Sequence, residues 1–442
     1  MARPLGGLLI ALPVCWSLIA SSVRAEELAP VKTGGPSATM LTQAGRLLAS
    51  GHVAAARQLV DRLAESGEGG SQRDFLDGMI SYSARDYRRA EAMFRRILDR
   101  DPRLLRVRLE LARTLYMANR DEEAEYHFRL AAAGHPPAQV MRNITNFRNA
   151  IRARRSWRFN IDFGFAPDSN INSATDKEMV DIQGLPFRLD RSARARSGTG
   201  RFVGGDASIR LNRSGKVPIY VEGHGRYTSY DDRRFDDAYA GFATGPELAV
   251  AGGQLRTTAT GLIRWYGNRR LVSSFGARVD YEKLVGNRWN VGGTLLVRRN
   301  DYARRSDVDG WDVQARASAS RPLGLTSLGF ASAAIERSHA SDRGHTYWRG
   351  RIGVGILKEI GWGLRPQLRM DLARQLNDGP LSPFGEQRRD WRLESSFSIY
   401  KRDWNVQGFA PSLTATLTRN YSTLPLYDER RLRAEARLTR AF

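Results

Sequence analysis

Past about residue 157 the chain settles into two-residue alternation, and this constrains the fold more than any motif. Phe275, Ala277, Val279 and Tyr281 alternate with Gly276, Arg278, Asp280 and Glu282. Trp289, Val291, Gly293, Leu295 and Val297 alternate with Asn290, Gly292, Thr294 and Leu296, followed by Arg298. Trp311, Val313, Ala315, Ala317 and Ala319 alternate with Asp312, Gln314, Arg316, Ser318 and Ser320. Trp348, Gly350, Ile352, Val354 and Ile356 alternate with residues that include Arg349 and Arg351. A period of two puts each set on one face of a strand. Strands in soluble sandwiches average about five or six residues, whereas these runs reach roughly a dozen, enough for the tilted 9–11 residues that span a bilayer. The alternation predicts transmembrane strands with one face on lipid and the other on water.

The connections agree. Tight ones fall near 213–216, 251–253, 285–287, 321–324, 360–361 and 402–407, and longer polar ones at 166–199, 230–236, 300–307, 338–345, 375–387 and 420–427. Only the connection at 268–269 is short where a long one is due. Short turns on one side and long loops on the other mark an antiparallel outer-membrane barrel, with the short turns in the periplasm. Counting strands between the connections gives fourteen over 157–442. That number is even, so both barrel ends lie on the periplasmic side. The sheet must close, because an open edge in lipid leaves backbone groups without partners. Arg278, Asp280, Glu282, Arg298, Arg316, Arg349 and Arg351 are then expected in a polar lumen. Trp265, Tyr266, Tyr281, Trp289, Trp311, Trp348, Trp362, Trp391, Tyr400 and Trp404, at strand ends, are expected in interfacial girdles. Phe442, after alternate Ala434, Ala436 and Leu438, is similar to the signal read by the barrel-assembly machinery, although Arg440 departs from it.

The preceding segment repeats with a period of 34 residues. Ala44, Gly78 and Ala112 form one column; Leu48, Tyr82 and Tyr116 a second; Ala56, Ala90 and Ala124 a third; and Val60, Phe94 and Phe128 a fourth. Pro102 and Pro136 close the second and third units. This is the spacing of tetratricopeptide repeats, in which small residues let paired helices approach and the aromatic wedges between units. The reading is a periplasmic TPR-like helical solenoid over 37–155, capped by a basic helix at 138–155. Such a solenoid offers a groove for peptide or protein. Tyr82, Arg113 and Tyr116 fall near it, and both tyrosines equally suit packing between helices.

Residues 1–25 read as a signal peptide: Arg3, an apolar run from Leu5 to Ala20, and small residues before Glu26. Residues 26–36 form a linker. Cleavage removes Cys15, the one cysteine, which leaves no disulfide or cysteine–metal chemistry. The formal charge of +22 would ordinarily suggest nucleic acid. An exported chain with dispersed basic residues instead meets lipopolysaccharide phosphates and other outer-membrane lipid, so no nucleic-acid partner is expected.

Catalytic and metal patterns do not emerge. His52, His127, His135, His224, His339 and His345 lack ligand spacing, and there is neither a Gly-x-Ser-x-Gly elbow nor a phosphate-binding loop. Ser338 and His339 fall in a predicted loop. The expectation is a protein with no enzymatic activity, cofactor or metal.

After the first strand come Asp168, Ser169, Asn170, Ile171 and Asn172. With the repeats and the fourteen strands, this run resembles the surface lipoprotein assembly modulator (Slam) family, over nearly the whole mature chain. The same run also suits a polar turn. The resemblance implies an outer-membrane translocon that assists surface display or secretion of client lipoproteins or soluble proteins. The competing expectation is a TPR-linked exopolysaccharide export porin, which would have a longer repeat array; a plain diffusion porin would have no use for the repeats.

Overall fold

The computed structural model describes residues 36–134, 136–154, 157–211, 217–286, 288–401, 404 and 409–441. The expected signal peptide with Cys15, the expected linker up to residue 35, and Phe442 lie outside them. The described residues begin with seven helices: α1 (Pro36–Ala49), α2 (Val53–Glu65), α3 (Gly70–Ser83), α4 (Tyr87–Arg100), α5 (Leu105–Met117), α6 (Asp121–Ala133) and α7 (Ala138–Arg154). In the first compact unit, up to Arg120, α1 packs on α2 and α3 on α4, with α5 stacked on α4, and in the second α6 packs on α7. Ala44, Ala112, Ala56, Ala90 and Ala124 are wholly buried, as are Val60, Phe94 and Phe128. Gly78 shows why one column stays small: a Cβ there would lie 2.7 Å from the Phe94 ring. Gly51, Arg85 and Asn119, again 34 apart, all take positive φ (84°, 61° and 61°) between paired helices. The next N–H in each case reaches back to a helical carbonyl: His52 to Leu47 at 2.8 Å, Asp86 to Ser81 at 2.9 Å, and Arg120 to Leu115 at 2.8 Å. This is a Schellman turn repeated three times.

By compactness the chain divides between Arg120 and Asp121, so α6 and α7 group with the strands. Those strands are β1 (Trp157–Asp168), β2 (Met179–Ile182), β3 (Leu185–Arg188), β4 (Gly198–Leu211), β5 (Ile219–Ser229), β6 (Asp237–Val250), β7 (Gly253–Tyr266) and β8 (Arg269–Val285). They continue as β9 (Trp289–Tyr302), β10 (Gly310–Pro322), β11 (Ser327–Ala340), β12 (Tyr347–Lys358), β13 (Leu364–Leu381), β14 (Glu386–Lys401), β15 (Ala410–Ser422) and β16 (Glu429–Ala441). Fourteen of them close into an antiparallel barrel, β1 pairing with both β4 and β16; β2 and β3 form a separate hairpin in the first long connection. Phe275 is 64% exposed and Ile352 60% exposed on the outer wall. Such a continuous apolar exterior requires lipid.

The strands overrun several expected loops, because pairing continues into water where polar residues still complete the ladder. Ser338 and His339 therefore lie within β11, His339 opposite Trp311 on the outer face, and not in a loop. Tyr266 and Tyr400 also depart from expectation. Their registers, opposite Asp237 and Ser412, turn both to the lumen and out of the girdles. The short connection at 267–268 is a two-residue hairpin with Gly267 and Asn268 at φ 57° and 61°, the type I′ geometry that suits twisted strands.

Candidate functional site

The helical groove residues fall on α3 and α5. Arg113 lies 5.2 Å over the Tyr82 ring and donates to Glu110 at 2.8 Å. Tyr82 also meets Tyr87 edge-on at 5.8 Å. Tyr82 thus packs between helices while its flank reaches the surface, and burial raises the pKa of its hydroxyl. Tyr116 stands one turn beyond Arg113 on α5 and is half-buried. The structure brings Tyr82 and Arg113 together.

In the barrel all seven expected lumen residues take the inward positions of their strands, but they differ in what they face. Arg278 is held by Asp280 at 2.7 Å and Glu222 at 3.1 Å. Thr294 donates to the other Asp280 oxygen at 2.9 Å. Arg298 pairs with Asp312 at 3.0 Å, and Arg349 with Glu336 at 3.4 Å and with Gln375 at 2.6 Å. Glu247 bridges Arg210 and Arg256 at 2.6 and 3.0 Å, and Glu435 takes Arg226 and Arg433, both at 3.0 Å. The lumen wall is therefore cross-linked by charge. Arg316 and Arg351 differ: among the described residues neither has a hydrogen-bond or ion-pair partner, and both are exposed. Ala334 separates them in register on β11, so two guanidinium groups share one height with no bulky side chain between.

Both barrel termini lie at one end, and α6 and α7 lie against it. Arg129 donates to Ser320 at 3.0 Å, Arg365 lies 4.0 Å over the Tyr126 ring, and Arg158 pairs with Glu122 at 3.3 Å. Phe128 stacks on Phe147 at 5.2 Å and Arg148 pairs with Glu125 at 2.6 Å, fixing the two helices to each other. Between them and the inner wall is a cavity of about 370 Å³, lined by Glu125, Arg129, Glu247, Arg256, Glu282 and Lys283 among others. Glu282 belongs to this vestibule.

At the opposite, loop end the Asp168–Asn172 run is a latch on the β1–β16 seam. Arg431 donates to both oxygens of Asp168, at 2.5 to 3.0 Å. Ser169 accepts from the Leu432 N–H at 2.8 Å and donates its own N–H to the Leu432 carbonyl at 3.0 Å. Asn170, wholly buried, exchanges hydrogen bonds with Ala174 at 2.8 and 3.0 Å. Asn172 does the same with Arg194 and Arg196. The β2–β3 hairpin is then carried across the loop end, where Ile182 packs on Leu381, Phe384 and Leu424, and Gln183 donates to the Pro383 carbonyl at 2.9 Å.

Residues 157–442, the barrel with its latch, match the family model described as surface lipoprotein assembly modifier. The chain belongs to that family. A tetratricopeptide repeat model also matches residues 81–139. Among its relatives, surface lipoprotein assembly modifier 1 of Neisseria meningitidis is 25% identical over 379 residues, covering 81% of this chain and 73% of the relative. Surface lipoprotein assembly modifier 1 of Haemophilus influenzae is 22% identical over 357 residues, covering 79% and 73%. The hemophilin secretion modulator of Acinetobacter baumannii is 21% identical over 375 residues, covering 79% and 75%. The fold and family make this chain an outer-membrane barrel protein.

Several parts of the barrel were not legible from sequence. Nothing in the spacing of Arg431 marks it as the partner of Asp168, and the vestibule draws on six or more separate elements. The signal that would have found the seat of the β2–β3 hairpin is the apolar set Leu381, Phe384 and Leu424, unusual in a region that is otherwise polar. Among the described residues no group of three or more His, Cys, Asp or Glu side chains could hold a metal ion.

Proposed function

We propose that this protein is a translocon that assists specific client lipoproteins or secreted proteins across the outer membrane, with its N-terminal helices in the periplasm and its loop end outside. The observation that carries the reading is the inner wall. It is polar from the vestibule at Glu282 to the loop end, and most of its arginines are matched by carboxylates. A polypeptide passing along it finds hydrogen-bond partners at each height without one deep electrostatic trap. Arg316 and Arg351, which have no such match among the described residues, form an uncompensated positive patch that favours acidic client segments. The even strand number supports the orientation, because it puts both barrel ends, with α6 and α7, on one side, opposite the long loops that face outward in barrels of this kind. The groove at Tyr82, Arg113 and Tyr116 would capture the client, raising its local concentration at the barrel. The family names support the client class, and the reading assigns no catalysis. Insertion would use the barrel-assembly machinery.

Deleting residues 37–120 tests the reading. The expected result is a folded barrel in the outer membrane with lost surface display of the client, measured by protease shaving and flow cytometry. Undiminished display would remove the capture role.

A further inference from the structure

The outer wall carries chemistry that passage through the lumen does not use. Arg299 on β9 stands in register with Trp311 on β10, Arg337 on β11 with Trp348 on β12, and Arg374 on β13 with Trp391 on β14. In each pair the guanidinium lies over the indole, at 5.9, 5.2 and 4.8 Å from its centroid. All six residues occupy outward positions near the loop end. Arg337 has a carboxylate partner, Asp378, at 2.8 Å. Among the described residues Arg299 and Arg374 have none. An indole face orients a guanidinium but supplies no counter-charge.

Beside Arg374 and Trp391, in the register row shared with Gly350 and Ala315 and in the next outward row toward the bilayer centre, the wall is hollow. Ala315, Ala317, Ala333 and Gly350 present almost no side chain there, and Ile335 and Leu372 flank the depression. A Cβ on Gly350 would meet nothing within 4 Å, so barrel packing does not require glycine at this site. The result is an apolar trough headed by an uncompensated cation. Further round the same rim Arg419 and Arg430 stand directly opposite each other on β15 and β16, an arrangement that destabilises a strand pair unless anions offset it. Asp428 serves Arg419 at 2.5 Å.

We propose that the trough binds a phosphorylated, acylated glycolipid of the outer leaflet, the lipid A part of lipopolysaccharide, with one acyl chain in the trough and a phosphate on Arg374. Arg299 is four strands away, about 19 Å at ordinary strand spacing, and takes the phosphate of a neighbouring molecule. The charge of the rim selects this occupant, since lipid A brings phosphate and several chains to the same interface. The assignment rests on the orientation proposed above, with the loop end outside.

The test uses the full chain in detergent with two probes, bis-phosphorylated lipid A and its dephosphorylated form, and reads bound lipid by native mass spectrometry. Lipid A is expected to be retained. Arg374→Gln should weaken it about tenfold, as loss of a charge-assisted contact does; the dephosphorylated probe should show a similar loss on the native protein. Gly350→Leu should fill the trough and weaken lipid A comparably, with folding checked by heat-modifiable gel migration. Lipid A binding to folded Arg374→Gln as tightly as to the native chain would overturn the site, as would equal binding of both probes. Should Gly350→Leu fail to fold, Arg374→Gln decides alone. Binding in detergent does not depend on which way the barrel faces; whole-cell labelling of an Asp342→Cys variant reads orientation separately.

Discussion

Asp168 and Arg431 are 263 residues apart, and the guanidinium of the second donates three hydrogen bonds to the carboxylate of the first. They join the opening strand of the barrel to its closing one. The Asp168 side chain is fully buried, whereas Arg431 keeps about a fifth of its exposure. Removing one member strands the other in a poorly solvated place. Asp168→Asn is expected to cost about 3 kcal/mol, the lower end for a broken buried pair. Urea titration of the barrel in lipid vesicles, read by heat-modifiable migration, checks this. A midpoint equal to that of the native chain would show that the seam does not need the latch.

Asp77 gives the helical unit a defined pH response. Burial raises its carboxyl pKa, but hydrogen bonds and charge from Arg89 and Arg57 outweigh that and hold it below the ordinary 3.8. The unfolded chain therefore binds the proton more readily. The contribution is fully present above the unfolded pKa and is lost as pH falls through the folded one. Thermal melts followed by helical circular dichroism should fall below about pH 4, and Asp77→Asn should flatten that part of the profile while lowering the melt at pH 7. A native profile unchanged by the substitution would assign the acid response elsewhere.

Arg85 occupies a left-handed backbone position in which its repeat equivalents are Gly51 and Asn119. A side chain with a Cβ is disfavoured there, and Arg85 is exposed. Arg85→Gly should therefore raise helical-unit stability by about 0.5–1 kcal/mol. A lower melting temperature for this variant would mean that the side chain contributes more than its backbone costs.

What the sequence revealed and concealed follows the range of each interaction. The columns at Ala44, Ala56 and Val60 are legible because close helix packing tolerates few side-chain sizes. The turn column at Gly51, Arg85 and Asn119 is not, because a shared φ leaves no shared chemistry. Strand alternation at Phe275–Tyr281 gave the correct lumen face for Arg278 and Asp280. It could not distinguish Arg278, which is paired, from Arg316, which is not, since partners are set by register between strands. The run at Asp168–Asn172 resembled a family motif and also a polar turn. The structure makes it a polar turn fastened to β16 by Asp168 and Ser169.

Leu424 is the most deeply buried member of the loop-end cluster with Leu381 and Phe384. Leu424→Asp should release the β2–β3 hairpin by burying a charge in its place. With the loop end outside, cells carrying the variant should become sensitive to a bulky hydrophilic antibiotic without loss of barrel folding. Native resistance in a variant displayed at normal levels would show that the cluster does not restrict entry.

The two-residue hairpin at Gly267 and Asn268 is the shortest connection at the loop end. The lid loops arise between β1 and β4, β13 and β14, and β15 and β16; around a ring of fourteen staves, β7 and β8 face them from the far side. The mouth is lopsided, roofed over one arc and cut down on the other, like the lip of a jug. Under the function proposed above, a client leaving by that end would find the shortest connection beside β7 and β8, and its path is expected to tilt toward them.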